Sequence, residues 1–171
     1  MRKIKYLSII IIFLLVLDSC RKIEQISPVP HIEYTSFAIF DTIDILGNNS
    51  KGGRLKFHFE DGDGDLGLKA PSSIQPDSTN LFLSLFRKKG GNMIPVPDND
   101  PIKPSAYRIP YMERLGQNKI LKGTISVTFI YLFYNPADTI RYDFYIKDRA
   151  LNMSNVVSTA EIVLSVNKVY K

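Results

Sequence analysis

Arg54-Leu-Lys-Phe-His-Phe-Glu60 runs without a break into Asp61-Gly-Asp-Gly-Asp-Leu-Gly67. Up to Glu60 the period is two. Leu55, Phe57 and Phe59 share one face and Lys56, His58 and Glu60 the other, the pattern of a half-buried β-strand. At Asp61 the alternation gives way to three carboxylates interleaved with glycines, which let a backbone fold tightly and are depleted in strands. A strand that delivers an acidic loop is therefore the unit from which the rest of the chain is read.

The same period recurs on both sides. Upstream, Phe37, Ile39, Ile43 and Ile45 share a parity interrupted by Asp41, which predicts a first strand with an irregularity. Asn48-Asn-Ser-Lys-Gly-Gly53 reads as the turn into the second. Downstream of the acidic loop, Pro71–Thr79 is polar and turn-rich. Asn80–Lys88 is a strand with Leu81, Leu83 and Leu85 on one face and Phe82 and Phe86 on the other. Gly90–Gln117 is irregular: the prolines of 95–97 and 101–104 exclude a central strand, and Pro110–Leu115 before Gly116 fits one helical turn. Lys119–Tyr134 is the longest strand pattern, with Leu121, Ile125, Val127, Phe129, Tyr131 and Phe133 on one parity. After a turn at Asn135–Asp138, Ile140, Tyr142, Phe144 and Ile146 form the next inward row. Val156, Ala160, Ile162, Leu164 and Val166 form the last, and Asp148–Asn155 is the loop between them.

Six or seven such strands with almost no helix and no internal repeat predict an all-β domain over 35–171, an antiparallel immunoglobulin-like β-sandwich of about seven strands. With no tryptophan and one cysteine, it lacks the antibody hallmarks. An up-and-down barrel is the alternative, and the proline-rich 95–104 segment suits a sandwich crossover better. A chain of 171 residues is long enough for one domain with a core. Its formal charge of +5 falls to +3 without residues 1–19, and the longest basic run after them is Arg87-Lys-Lys89. A mild surplus spread along the chain speaks against a nucleic-acid partner, which needs a clustered basic face.

The N-terminus gives an address. Met1-Arg-Lys-Ile-Lys5 is followed by an apolar run, Ile9–Leu17. Spanning a bilayer takes about 20 apolar residues, so the run reads as the core of a signal peptide, 1–19, rather than as a transmembrane helix. It ends in Leu17-Asp-Ser-Cys20, which resembles the lipobox of bacterial lipoproteins. Asp18 departs from the small or apolar residue usual there. The resemblance implies cleavage before Cys20 and acylation of that residue, and several acyl chains anchor far more firmly than one. A free thiol is the alternative, although a lone cysteine has no internal disulfide partner. Residues 20–34, with Ser27-Pro-Val-Pro30, read as a tether. Arg21-Lys-Ile-Glu24 lacks the acidic cluster of surface-exported lipoproteins, which points to the outer membrane's periplasmic face.

A second resemblance rests on Phe57–Gly67 and on Tyr145-Ile-Lys-Asp-Arg-Ala-Leu-Asn-Met-Ser-Asn155. Together these look like a group of uncharacterised lipoproteins of Bacteroidetes-type bacteria. The later segment is also similar to the last hairpin of bacterial immunoglobulin-like and fibronectin-type modules, where Leu151 stands in place of a usual glycine. The resemblance implies a fold and a compartment and carries no activity.

Chemistry is sparse elsewhere. Asp61, Asp63 and Asp65 repel one another unless a cation lies between them, and hard oxygen ligands suit Ca²⁺. Counted from Asp61, Leu66 and Ser72 stand where an EF-hand needs glycine and glutamate, so that motif is excluded. Asp148, from a loop expected at the same end, would complete a structural Ca²⁺ site. An Asp-Gly repeat is also an ordinary solvated turn former. His31 and His58 fall on the tether and on an outward strand face, and no triad, P-loop, dinucleotide fingerprint or nucleophile elbow occurs. Among the tyrosines, Tyr142 falls on an inward row. Tyr134 and Tyr145, with Phe82, fall on outward rows and are candidate contacts for an envelope protein or a glycan. The expectation is a non-catalytic binding or assembly module on a lipid anchor, with an envelope hydrolase using the acidic loop, or a structural spacer, as alternatives.

Overall fold

The computed structural model of the protein describes residues 26–72, 79–104, 106–113 and 119–171. These residues form β-strands joined by turns and loops, and no helix occurs among them. One sheet contains β1 (His31–Ile43), β2 (Asn49–Asp61), β5 (Leu121–Tyr131) and β9 (Val169–Tyr170), in the order β5-β2-β1-β9. The other contains β3 (Leu81–Lys89), β4 (Asn92–Pro95), β6 (Thr139–Ile146), β7 (Val157–Ser158) and β8 (Ile162–Val163). Its order is β4-β3-β6-β7, with β8 also paired to β6. Every strand ladder is antiparallel.

The predicted alternation places the core. Leu55, Phe57 and Phe59 of β2 and Ile140, Tyr142, Phe144 and Ile146 of β6 are all buried, and the two rows belong to different sheets. Phe37 and Phe129 each stack on Tyr142 with ring centroids 5.6 Å apart, and Phe57 meets Phe144 at 5.2 Å. The sheets thus face one another across one shared core, an arrangement consistent with a β-sandwich. Within it, the hydroxyls of Tyr131 and Tyr142 lie 2.9 Å apart, and burial pushes both phenols well above their ordinary range. Replacing either tyrosine by phenylalanine is expected to cost about 1–3 kcal/mol, because the other hydroxyl is left buried and unsatisfied. The double replacement is expected to be nearly neutral, and a double-mutant cycle by denaturant unfolding measures the difference.

Several boundaries differ from the sequence expectation, each for a local reason. The turn between β1 and β2 is at 44–48, held by Asp44 Oδ1, which accepts from the amides of Leu46 (2.8 Å) and Asn48 (2.9 Å). Ile43 and Ile45 consequently lie exposed, not on the inward row. Gly52 and Gly53 are inside β2, where a β-carbon would fall 2.4 Å from the Phe40 ring and 2.7 Å from the Phe37 ring. Glycine is there for close approach, not for a turn. The irregularity in β1 is a register shift between Tyr34 and Ser36, not at Asp41. β1 also takes in His31–Tyr34, assigned above to the tether. β5 stops at Tyr131, which leaves Phe133 exposed. The last row is divided into β7 and β8 because Thr159 enters the ladder, its Oγ1 accepting from the Tyr142 amide. Val156 and Val166 are exposed as a result. No helical turn forms over 110–113, where Pro110 makes a parallel bridge to Leu68; the rest of that expected turn, 114–116, lies outside the described residues.

β1 and β9 close the molecule between the sheets' ends. Tyr170 pairs with Phe37, its backbone carbonyl accepts from Tyr34 Oη (2.8 Å), and its own hydroxyl donates to the Val163 carbonyl (2.8 Å). The chain therefore passes from the second sheet back to the first within a few residues. One end of the molecule carries the 44–48 turn and the loop after β5. The other carries the acidic loop after β2, the loop after β6, and the start of β1.

Candidate metal centre

β2 ends by carrying Asp61 into the interior. Its parity is that of Leu55, Phe57 and Phe59, so the carboxylate enters at the rim of the core and is fully buried. Oδ2 accepts from the Leu66 amide at 2.7 Å, which closes the loop back on its own first residue. Leu66 is itself a buried core residue, so hydrophobic packing holds that bond in place. Gly64 and Gly67 take positive φ (63° and 95°), a backbone region that glycine enters without strain.

The loop is packed on three sides. The Gly62 amide donates to the Ser27 carbonyl at 2.9 Å, and a β-carbon on Gly62 would fall 2.2 Å from the Ile26 carbonyl. The segment leading into β1 is therefore fastened to the acidic loop. Asp65 Oδ2 accepts from the Ala150 amide (3.0 Å), and Arg149 donates to the Gly67 carbonyl (2.9 Å). The two loops expected to share an end of the molecule do so.

Ligand oxygens of Asp61, Asp63 and Asp65 lie within 4.8 Å of one another. Asp61 Oδ1 and Asp65 Oδ1 are enclosed with no hydrogen-bond donor. Burial, followed by the side-chain hydrogen bond with Asp63 and then its charge, raises the Asp61 carboxyl to about 6, against the lowering effect of the Leu66 amide. Asp65 is also raised, by burial and then by the charges of Asp148 and Asp63. A buried oxygen without a donor, on a carboxylate grouped with two others, is a costly arrangement that a cation would relieve. The donor set is hard and anionic, which fits Ca²⁺ or another oxygen-seeking divalent ion.

Asp148, expected as a fourth ligand, is buried but lies outside this oxygen group. Its Oδ1 and Oδ2 accept from the Asn152 amide and side chain, each at 2.8 Å. Its task in the structure is to shape the 148–152 turn that presents Ala150 to Asp65. Leu151 completes that turn with φ +69°, the left-handed conformation of the glycine it replaces in the resembled motif. Leu151 is exposed, so Leu151→Gly removes no core packing. A left-handed leucine costs about 1–2 kcal/mol, and the added freedom of an unfolded glycine offsets about half of that. Leu151→Gly is expected to raise stability by about 0.5–1 kcal/mol, read as a higher denaturant midpoint at unchanged slope.

The three contact candidates do not form one surface. Phe82 and Tyr145 are cross-strand partners on the outer face of the second sheet, stacked with centroids 5.0 Å apart, and Lys147 lies over the Phe82 ring. Tyr134 is at the opposite end, beside Asp41, Thr42, Asn49 and Ser50. Family models, curated proteins and solved structures give no match to this chain. His31 and His58 lie on the outer face near Glu33 and Glu60, away from the acidic group. Arg87 is held by Asp100 through two hydrogen bonds (2.6 and 3.2 Å), and Lys88 pairs with Glu161, so the basic run is balanced by local carboxylates. Cys20 lies outside the described residues, and among those residues no helix is long and apolar enough to cross a membrane. What the sequence reading missed is the fastening of Ile26–Ser27 to Gly62. The only signal for it was a glycine between two aspartates, which a solvated turn would equally have produced.

Proposed function

We propose that the chain is a cell-envelope lipoprotein, anchored through Cys20 to the periplasmic face of the outer membrane. Its immunoglobulin-like sandwich serves as a non-catalytic binding or assembly module stabilised by Ca²⁺. The observation that carries the metal part is the buried Asp61 carboxylate, with a donorless Oδ1, grouped within 4.8 Å with ligand oxygens of Asp63 and Asp65. The ion's role is structural in this reading, because the loop it would neutralise ties three segments together. Those segments are Ile26–Ser27, the end of β2, and the 148–152 turn. Three carboxylates fall short of the six to eight oxygens Ca²⁺ takes, and water or backbone carbonyls would supply the remainder. The anchor rests on the lipobox resemblance. In this reading the acidic-loop end, to which Ile26–Ser27 is fastened, is the end nearer the anchor, and Ile45, Leu46 and Phe133 are exposed at the other end.

Calorimetric titration of Ca²⁺ into the full chain in mild detergent, with thermal unfolding alongside, tests the reading. Saturable binding is expected, with stabilisation of about 2.7 kcal/mol at a hundredfold excess over Kd. Both effects are expected to vanish in the Asp61→Asn/Asp63→Asn/Asp65→Asn chain. No heat and no rise in unfolding temperature would reduce the loop to a solvated turn.

A further inference from the structure

β5 is the outer strand of the first sheet, eleven residues long, and among the described residues no strand pairs its far edge. The direction of its backbone follows from one bond. The Tyr131 carbonyl accepts from Ser50 Oγ of β2 (2.8 Å), so the backbone of Tyr131 faces β2. In an antiparallel ladder that facing alternates along the strand. The amides and carbonyls of Thr124, Ser126 and Thr128 therefore point away from β2. Long open edges of this kind are templates for another strand.

Beside that edge lies a cleft of about 460 Å³. Ile125 and Val127 form one wall, and Leu81, Tyr107, Ile109 and Met112 the other. The second wall is fixed in place because Tyr107 and Leu81 exchange backbone hydrogen bonds at 2.9 Å. Along the inward row of β5, Phe129 and Tyr131 are buried, whereas Leu121, Ile125 and Val127 are only half-buried. The core is thus incomplete where the open backbone and the apolar cleft coincide.

We propose that the β5 edge and this cleft form one binding site for an extended segment of a partner protein, which adds a strand beside β5. The inference rests on the reading of the domain as a binding module and names its partner class. The outward-facing backbone of β5, without a strand partner among the described residues, suits an extended chain, and the cleft suits apolar side chains at alternate positions. The exposed Thr124, Ser126 and Thr128 side chains on the outer face call for polar residues between them. Pairing over residues 124–128 spans about 17 Å. A second copy fits less well, because Ile125 and Val127 of its own β5 already line its own cleft.

The test is selection of a displayed library of random short peptides on the full chain in mild detergent, followed by amide hydrogen exchange with the enriched peptides. Expected are peptides of alternating apolar and polar residues that slow exchange at Thr124, Ser126 and Thr128 about tenfold or more. Ser126→Pro removes an outward amide, and Met112→Glu puts a charge in the cleft at a half-buried position. Each is expected to weaken binding about tenfold or more, with folding checked by thermal unfolding. Met112→Glu leaves the strand backbone intact, so it reports even where the proline variant fails to fold. Enriched peptides that protect Phe82 and Tyr145 instead overturn strand addition and leave the binding-module reading standing. No enriched peptide overturns strand addition together with the protein-partner form of that reading. Protection of the β5 edge in the free chain that rises with concentration assigns the edge to a second copy and overturns the proposal.

Discussion

Asp61→Asn is expected to stabilise the metal-free chain at about pH 7 by about 2 kcal/mol and, in the same protein, to remove most of its stabilisation by Ca²⁺. The wild-type carboxyl is buried with one oxygen lacking a donor, and its pKa is raised from 3.8 to about 6. A raised acid pKa means that the folded state holds its proton more tightly than the unfolded state does. Stability from this group is therefore greatest below about pH 4 and declines as pH rises to about 6. Asparagine carries no charge to desolvate, its carbonyl can still accept from the Leu66 amide, and its NH₂ can donate to the neighbouring carboxylates. At the proposed site Ca²⁺ would compete with that proton, so its expected stabilising effect falls away as pH drops below about 6. Thermal unfolding of both chains across this pH range, with and without Ca²⁺, reads all of these differences. An Asp61→Asn chain that is less stable than wild type without metal would show that the carboxylate is satisfied in a way its surroundings do not indicate.

The second large effect lies in the core. Phe144→Ala is expected to cost about 3–5 kcal/mol, since the ring is fully buried and packs on Phe57 of the opposite sheet at 5.2 Å. Against a typical total stability of about 5–15 kcal/mol, that loss is enough to make the domain marginal. Phe133→Ala is the matched control. It shares the alternating row of β5 in sequence, yet the ring is exposed beyond the strand's end, and the expected change is within about 0.5 kcal/mol. Denaturant unfolding of the pair separates a core row from its continuation in a loop.

Phe133 also shows where sequence reading stops. Period two identifies a strand and its inward face, and for β2, β3 and β6 it named the buried residues correctly. It cannot say where a strand ends, because a loop can continue the alternation by chance. Ile43 and Ile45 fail for the same reason, with Asp44 ending β1 through its side-chain bonds to the turn amides. Gly52-Gly53 fails differently. Two adjacent glycines signal a turn locally, but here they make room for the Phe37 and Phe40 rings of β1, a cross-strand requirement that local sequence does not carry.

The candidate site divides along the same line. Clustering of Asp61, Asp63 and Asp65 was legible because all three lie on one short loop, and the exclusion of an EF-hand followed from their spacing alone. Burial of Asp61 was legible in principle, since it continues the inward parity of Leu55, Phe57 and Phe59. The contribution of Asp148 was not. That it lies near the loop follows from strand order, but whether its oxygens face the cluster depends on the 148–152 turn, where Asn152 takes both.

By itself the sequence determined the all-β class, the inward rows of the long strands, and the position of a carboxylate loop at one strand's end, because each depends on residues adjacent along the chain. The tertiary structure alone decided that the segment before β1 is fastened to that loop, that β9 returns to the first sheet, and that β5, among the described residues, has an open edge beside an apolar cleft. Those features arise from residues distant in sequence meeting in space, and hydrophobic packing and backbone pairing settle such meetings only once the whole chain has closed on its core.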